Sequence, residues 1–354
     1  MSNLSVADVF GELQRRGLAG VAQPPELTPV QMGTPWYVRV MAGVGAWLGG
    51  FFLLGACLGL FAALVKSPSG MGVLGLLLLG GAFAMYRMAR ESEALQQFAL
   101  AFSMAGQFAL AFAVTEVMHW DAVAMAWFLC LMQIALVLLM PHALHRFLSA
   151  LFAAVALYYA LQSAHAVALG ALVLAPLVAW LSRSEPFWIV ARRQDLLRPV
   201  AYALALALLF WEAPLSARWL FGYRGEEWRF AVPYWLAPLS YGLTCVAVAG
   251  SLARELAPRY WTRWVAATVL VCAVAMLAPG LQAALLVLLL GFAAGSRVLM
   301  GMALLAAVWY LGAYYYRLQI TLLEKAGVLV ATGLVLIGLR YALTLFWPAE
   351  ANHE

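Results

Sequence analysis

The sequence is poor in charge. Only 10% of its 354 residues are Asp, Glu, Lys or Arg, whereas 66% are apolar. An average soluble protein has about 25% charged and about 45–50% apolar residues. No soluble core could hide that much apolar surface. The composition therefore excludes an ordinary soluble domain and predicts a membrane protein.

Cysteine and catalytic motifs are also scarce. All four cysteines lie inside apolar runs, which argues against a disulfide framework. The chain contains no glycine-rich phosphate loop, no nucleophile elbow and no HExxH motif. Its net charge of +5 comes from Arg in loops on one side of the membrane, which makes a nucleic-acid partner unnecessary. We therefore predict no catalytic residue, no metal and no cofactor.

Instead, the chain has a series of apolar runs of about membrane-spanning length. A hydrocarbon core about 30 Å thick needs about 20 helical residues. The predicted fold class is an all-α, polytopic bundle of about 12 transmembrane helices within residues 35–348, or 11 if the weakest run, 199–211, is re-entrant. The predicted spans are 40–65, 70–88, 96–117, 121–140, 147–161, 165–181, 199–211, 231–253, 264–280, 281–296, 297–316 and 326–347.

The termini and the loop charges predict an orientation. Residues 1–34 have the pattern of a cytoplasmic amphipathic helix followed by a Pro-rich linker, and 349–354 form a short tail. Lys and Arg fall mostly on one side, so the positive-inside rule predicts a multi-pass protein of the bacterial inner (cytoplasmic) membrane with its N-terminus in the cytoplasm. The excess is the same whether or not 199–211 spans, so the side of the C-terminus stays open.

Polar residues inside the runs are the best guide to a site, because burying them in lipid is costly. Gln107 and Gln133 are expected to bond to each other across one helix pair, as a structural contact or as part of a ligand site. His142 and His145 are interpreted as an interfacial or buried, hydrogen-bonded pair rather than metal ligands.

A third polar feature is the run 231–253, which contains Pro238 and Gly242. Proline removes a backbone hydrogen bond and glycine adds flexibility. The pair predicts a kinked or broken helix, as at many transporter sites.

The outer loop 212–229 places arginines among aromatic residues. Arg beside an aromatic ring can hold an anionic head group or a partner's acidic residue. A salt-bridged loop that neutralises its own charge is the alternative. The candidate residues for binding a partner or an anionic lipid are Arg218, Arg224, Arg229, Trp219 and Trp228.

The two ends of the apolar region carry motif-like residues. They are Trp36, Tyr37 and Arg39 near the first span, and Tyr314, Tyr315, Tyr316, Thr321, Lys325, Gly333 and Arg340 in the last part. With these residues the chain resembles a bacterial family of polytopic inner-membrane proteins described as a domain of unknown function. Members are commonly encoded beside a smaller membrane protein with a GDYXXLXY motif. The resemblance implies a small membrane partner and no known activity.

Arg340 lies roughly 10 Å inside the predicted inner boundary, from its distance to Trp347 along a helix. It either extends to the interface or pairs inside the bundle, with Gln133 or Gln282 as acceptor.

Three functions stay open at this point. The leading prediction is a non-enzymatic component of an envelope membrane complex with a small membrane partner. The alternatives are a transporter of a small or lipidic substrate, and an envelope enzyme acting on a lipid-linked anionic substrate.

Overall fold

A computed structural model describes residues 66–88, 92–220, 235–256, 258–276 and 280–317. It also describes single helical positions within 41–59 and 323–337, and it omits the side chains of 93 and 213–220. The predicted runs from 70–88 to 297–316 each overlap a described helix, although 231–234 and 277–279 lie outside the described residues. The first and last runs, 40–65 and 326–347, lie outside the continuous described ranges, as do 1–34 and 349–354.

The continuous ranges consist of helices joined by short turns. They are α1 (Pro68–Met88), α2 (Glu93–Met118), α3 (Ala122–Leu139), α4 (Ala143–Ser163), α5 (Val167–Arg183), the short α6 (Glu185–Val190), α7 (Gln194–Leu220), α8 (Leu236–Leu256), a 3₁₀ turn (Pro258–Tyr260), α9 (Trp261–Ala275), α10 (Leu281–Ala293) and α11 (Arg297–Arg317).

Seven of the described helices are long and apolar enough to cross a membrane. They are α1 to α4, α7, α8 and α11. In α7 the apolar part is Gln194–Glu212, so the weakest predicted run lies within a helix of 27 residues. Two further apolar helices, α5 and α10, are shorter. The all-α, multi-pass class is therefore confirmed for the described residues.

The first four helices form two hairpins. Helices α1 and α2 pack along their length, as do α3 and α4, whereas α2 and α3 make few contacts although only a short turn joins them. Glycine allows the close approach of α1 to α2, because a Cβ on Gly75 would come within 2.9 Å of the Gly106 carbonyl oxygen. The first four helices thus pack as two pairs, α1 with α2 and α3 with α4.

The remaining helices surround α7. It packs against α4 on one side and against α5, α10 and α11 on the others, and α8 packs against α5, α9 and α10. The largest buried apolar cluster lies here, around Leu208, Tyr241, Leu286 and Tyr310. Ala203 of α7 packs with Val137 and Ala150 and so joins this part to the α3–α4 hairpin.

The helix predicted to be kinked or broken at Pro238 and Gly242 is α8, which is continuous from Leu236 to Leu256 and therefore not broken there. Pro238 lies in the first turn, where a backbone N–H has no intrahelical acceptor, so its absence removes no bond. An added Cβ on Gly242 would make an ordinary van der Waals contact with Gln282 Nε2, at 3.5 Å. Prolines lie inside two other described helices, at Pro176 in α5 and at Pro199 and Pro214 in α7.

Candidate functional site: a polar chain and a cavity between two hairpins

The α2–α3 turn sets the geometry of the site. His119 ends α2 with a positive φ of 49°, and Asp121 begins α3 by accepting a hydrogen bond from Ala124 N at 2.8 Å. These caps reverse the chain in three residues. Beyond the turn the two helices diverge and meet again only around the middle of the apolar spans.

A chain of buried hydrogen bonds joins the hairpins where they meet. Gln133 Nε2 donates to Gln107 Oε1 at 2.7 Å, and Gln107 Nε2 donates to Ser103 Oγ at 3.2 Å. Ser103 Oγ lies 2.7 Å from His145 Nε2, and His145 Nδ1 lies 3.2 Å from Ser149 Oγ. All five side chains are at most 6% exposed. The bond predicted between Gln107 and Gln133 is confirmed, and so is the buried, hydrogen-bonded state of His145.

The bonds of this polar chain have a consistent direction. Because Gln107 donates to Ser103, the Ser103 hydroxyl is free to donate to His145 Nε2. His145 then carries its proton on Nδ1 and donates to Ser149. In this tautomer every group donates to the next one along, and alignment of this kind strengthens each bond in a medium of low dielectric constant.

Aromatic rings close the end of the polar chain away from the turn. The ring of His142 stacks on Tyr86 at 5.0 Å, and His145 meets the same ring edge-on at 5.8 Å. Burial, and then the charge of Arg146, lower the pKa of His142, which precedes α4. Arg146 Nη1 donates to the Asp195 carbonyl oxygen at 3.0 Å and so ties the start of α4 to the start of α7.

On the turn side of the polar chain, the diverging helices enclose a cavity of about 510 Å³. Helices α2, α3 and α4 line it with apolar side chains, together with Gln107, Gln133 and Tyr159. At its rim, Phe108 is 74% exposed and Val155 is 52% exposed. In the part of the chain that the structure describes, the cavity is therefore open on this side.

The carboxamide of Gln133 lies in the wall of this cavity, and its two ends differ. Nε2 is held by Gln107, whereas Oε1 is buried and has no hydrogen-bond partner among the described residues. Arg340, one proposed partner for this oxygen, lies outside the described residues. A buried carbonyl without a donor costs about 1–3 kcal/mol.

A second buried polar group lies in the other half of the bundle. Glu212 is 3% exposed and accepts a hydrogen bond from the Tyr241 hydroxyl at 2.9 Å. Nearby, the Tyr310 hydroxyl donates to the Leu209 carbonyl oxygen. These contacts tie α7 to α8 and α11, so Glu212 is part of a packed interface.

Few of the residues singled out by motif or loop composition are brought together. Tyr314, Tyr315 and Tyr316 end α11, with Tyr316 75% exposed, as expected of an interfacial residue. Arg218 and Trp219 belong to the last turn of α7, without described side chains. The other predicted residues lie outside the described residues: Trp36, Tyr37, Arg39, Arg224, Trp228, Arg229, Thr321, Lys325, Gly333 and Arg340.

Ser103, Ser149 and Tyr86 were not foreseen as site residues. A signal was present for Ser103, which precedes Gln107 by one helical turn and so lies on the same face of α2. Tyr86 carried no comparable signal, because a tyrosine near a helix end is usually an interfacial residue.

The fold and the buried polar chain define a multi-pass, all-α membrane protein of unknown activity. Residues 35–346 match the family described as Domain of unknown function (DUF4401). The chain belongs to this family. No curated protein and no solved structure matches it.

Proposed function

We propose that this protein is a non-enzymatic membrane component that holds a lipidic molecule in the cavity between α2, α3 and α4. The observation that carries the proposal is the cavity itself, which the described residues leave open on one side and line with apolar side chains. We propose that this open side faces the bilayer.

The size and lining of the cavity support a small amphiphile. A volume of about 510 Å³ is within the range of about 300–1,000 Å³ typical of ligand pockets. Such pockets combine mostly apolar walls with a few polar groups that fix orientation, and here these are Gln107, Gln133 and Tyr159. None of them is charged at neutral pH, which favours a neutral lipidic ligand over an anionic, lipid-linked one. Carriage of such a ligand would make the protein a transporter.

Filling the cavity tests the proposal. Ala111 lines it and is half-buried, so Ala111→Phe places a ring inside. Lipids retained by the protein after gentle detergent extraction are identified by mass spectrometry. We expect wild type to retain a specific lipidic molecule that Ala111→Phe loses. The matched control is Ala267→Phe on the exposed side of α9, which should retain it. Equal retention by all three proteins contradicts the proposal.

We also propose the finer topology, with twelve spans, a cytoplasmic N-terminus and an inner-membrane location. Contacts at the helix ends support a single basic face. Arg183 at the end of α5 pairs with Glu255 at the end of α8, and Arg198 at the start of α7 lies 3.6 Å from Glu185. Because basic residues concentrate on the cytoplasmic side, this face is the proposed inner one.

A small membrane protein is the proposed partner, with an anionic lipid as a further ligand of the outer loop. The argument rests on the arginines and aromatic residues of 212–229 and on the family resemblance. Reversing Arg218, Arg224 and Arg229 to Glu should lower partner or anionic-lipid recovery without loss of folded protein, measured by pull-down at increasing salt. Unchanged recovery at every salt concentration argues against this surface.

A further inference from the structure

We infer that the corner between α6 and α7 binds the phosphate group of an anionic phospholipid, with α6 lying in the head-group layer of the bilayer. This site is separate from the α2–α4 cavity and from the loop 212–229, which lies at the opposite end of α7. The inference therefore stands whether or not the cavity holds a lipid.

Helix α6 is a short connection at one end of the bundle. One residue separates it from α5 and three residues separate it from α7. Its six residues extend over about 9 Å, which is too short to cross the hydrocarbon core. Trp188 Nε1 donates to Ser184 Oγ at 2.7 Å, and the Trp188 ring packs edge-on against Trp180 at 5.5 Å. These contacts fix α6 against the end of α5.

The apolar side chains of α6 are exposed. Phe187 is 65% exposed and Val190 is 84% exposed, and Ile189 between them is also exposed. Such side chains are unfavourable in water. A short segment that presents apolar and aromatic side chains beside a spanning helix is typical of the interface between water and hydrocarbon. The head-group layer of the bilayer is the surface that fits this position.

Two arginines, Arg192 and Arg193, directly follow α6. Both are exposed, and within the part of the chain that the structure describes neither has a carboxylate within 4 Å or an aromatic ring beside its guanidinium group. By contrast, the next arginine along the chain, Arg198, lies 3.6 Å from Glu185. The corner therefore carries two positive charges that no contact described here neutralises.

The backbone holds the two arginines in one tight turn. Arg192 has a φ of 54°, in the left-handed region that residues other than glycine seldom adopt. Arg193 N donates to Trp188 O at 2.9 Å and so closes α6, whereas Arg193 O accepts from Leu196 N at 3.1 Å as α7 begins. Both guanidinium groups are thus attached to a fixed turn beside the exposed apolar side chains of α6.

The charge and the position together identify the ligand. A guanidinium group binds phosphate through two parallel hydrogen bonds, and phosphate lies at the depth of the head groups. The choline of a zwitterionic lipid neutralises its phosphate, so the site favours a lipid with a net negative charge. Each arginine near an anionic membrane surface is expected to raise the affinity about fivefold.

The experiment places a fluorescent probe on α6 in the full-length protein. Val190→Cys is labelled with bimane in a Cys57→Ala background, because the other three cysteines are buried. The labelled protein is incorporated into phosphatidylcholine nanodiscs with increasing fractions of brominated phosphatidylglycerol or brominated phosphatidylcholine, whose bromines quench the probe at short range. We expect phosphatidylglycerol to reach half-maximal quenching at a fraction at least about fivefold lower.

Variants locate the preference. Arg192→Gln combined with Arg193→Gln should remove it and leave quenching by phosphatidylcholine unchanged. Arg192→Gly, which suits the left-handed φ, replaces Arg192→Gln if the double variant does not fold. The matched control is Arg87→Gln with Arg263→Gln, which removes two exposed arginines from other helix ends of the basic face. Each of these stacks on an aromatic ring, and the control should keep the preference.

Three outcomes overturn the inference. If neither brominated lipid quenches the probe, water or another segment of the chain covers α6, and α6 lies outside the head-group layer. If both lipids quench equally in the protein with native arginines, α6 lies in that layer but the corner has no preference for an anionic lipid. If the control loses the preference as fully as the Arg192 and Arg193 variant, the charge of the whole face attracts the lipid. None of these outcomes bears on the cavity.

Discussion

The bond between Gln107 and Gln133 gives the sharpest test of how the two hairpins hold together. Its 2.7 Å length and its burial predict a measurable coupling energy between the residues. Leu has about the volume of Gln, so each Gln→Leu substitution removes the bond with little change in packing.

The expected magnitudes follow from what each variant leaves behind. Gln133→Leu leaves Gln107 Oε1 without its donor, and Gln107→Leu leaves Gln133 Nε2 without its acceptor and Ser103 without a neighbour. We expect each to lower the free energy of unfolding by about 1–2 kcal/mol. The double variant should lose less than the sum by about 0.6–1.7 kcal/mol, the range measured for polar pairs in membranes.

The assay is reversible unfolding in mixed lipid and SDS micelles, followed by tryptophan fluorescence. A parallel cycle pairs Gln107→Leu with Thr268→Val. The Thr268 hydroxyl donates to Trp264 O within α9, away from the hairpins, so these two changes should be additive. A coupling between Gln107 and Gln133 below about 0.3 kcal/mol, the usual deviation from additivity, would refute the argument that this bond joins the hairpins.

Three further results are expected. Gly170→Ala should lower the free energy of unfolding by about 1–3 kcal/mol, because the Cβ of the new alanine would lie 1.7 Å from the Trp211 ring. Burial lowers the pKa of His142 in the folded protein, so the unfolded chain takes up this proton at a higher pH than the folded chain does. The stability of the wild type should therefore fall as the pH drops below about 6.5. His142→Phe should reduce the loss of melting temperature between pH 7 and pH 5. A fluorescent reporter fused to the C-terminus should be active, because twelve spans from a cytoplasmic N-terminus end in the cytoplasm.

Each of the three has its own control. Gly80→Ala on the exposed side of α1 has no atom within 4 Å of the new Cβ and should not lower the stability, so an equal loss in both glycine variants contradicts the packing argument. For His142, parallel pH curves in wild type and variant would show that another group titrates. For the topology, an active periplasmic phosphatase fusion at the C-terminus would exclude twelve spans.

The pairing of Gln107 with Gln133 could be predicted because both residues lie at the same distance along their helices from the α2–α3 turn. Gln107 lies eleven residues before Met118, and Gln133 eleven residues after Ala122, so a short turn places both roughly 16 Å from it. A polar residue at that depth needs a partner, and each is the nearest one for the other.

The cavity and the Glu212 contacts could not be predicted in the same way. The cavity exists because α2 and α3 diverge, and this angle depends on how α1 and α4 pack behind them. Tyr241 and Tyr310 belong to helices whose neighbours no local pattern identifies. The position of Pro238 in the first turn of α8 could not be predicted either, because a proline breaks a helix or starts one depending on where the helix begins.

The contacts of Glu212 bear on how the chain is made. The candidate span Gln194–Glu212 of α7 has an apolar window with a mean hydropathy of 1.2, the lowest of the seven candidates, and carries a carboxyl group that lipid cannot satisfy. Its hydrogen-bond partner Tyr241 follows 29 residues later, and the contact from Tyr310 to Leu209 closes only 101 residues on. During synthesis, α7 therefore emerges before the helices that shield it. Its final position is reached only when α8 and α11 have been inserted, so α7 is completed long after its own synthesis.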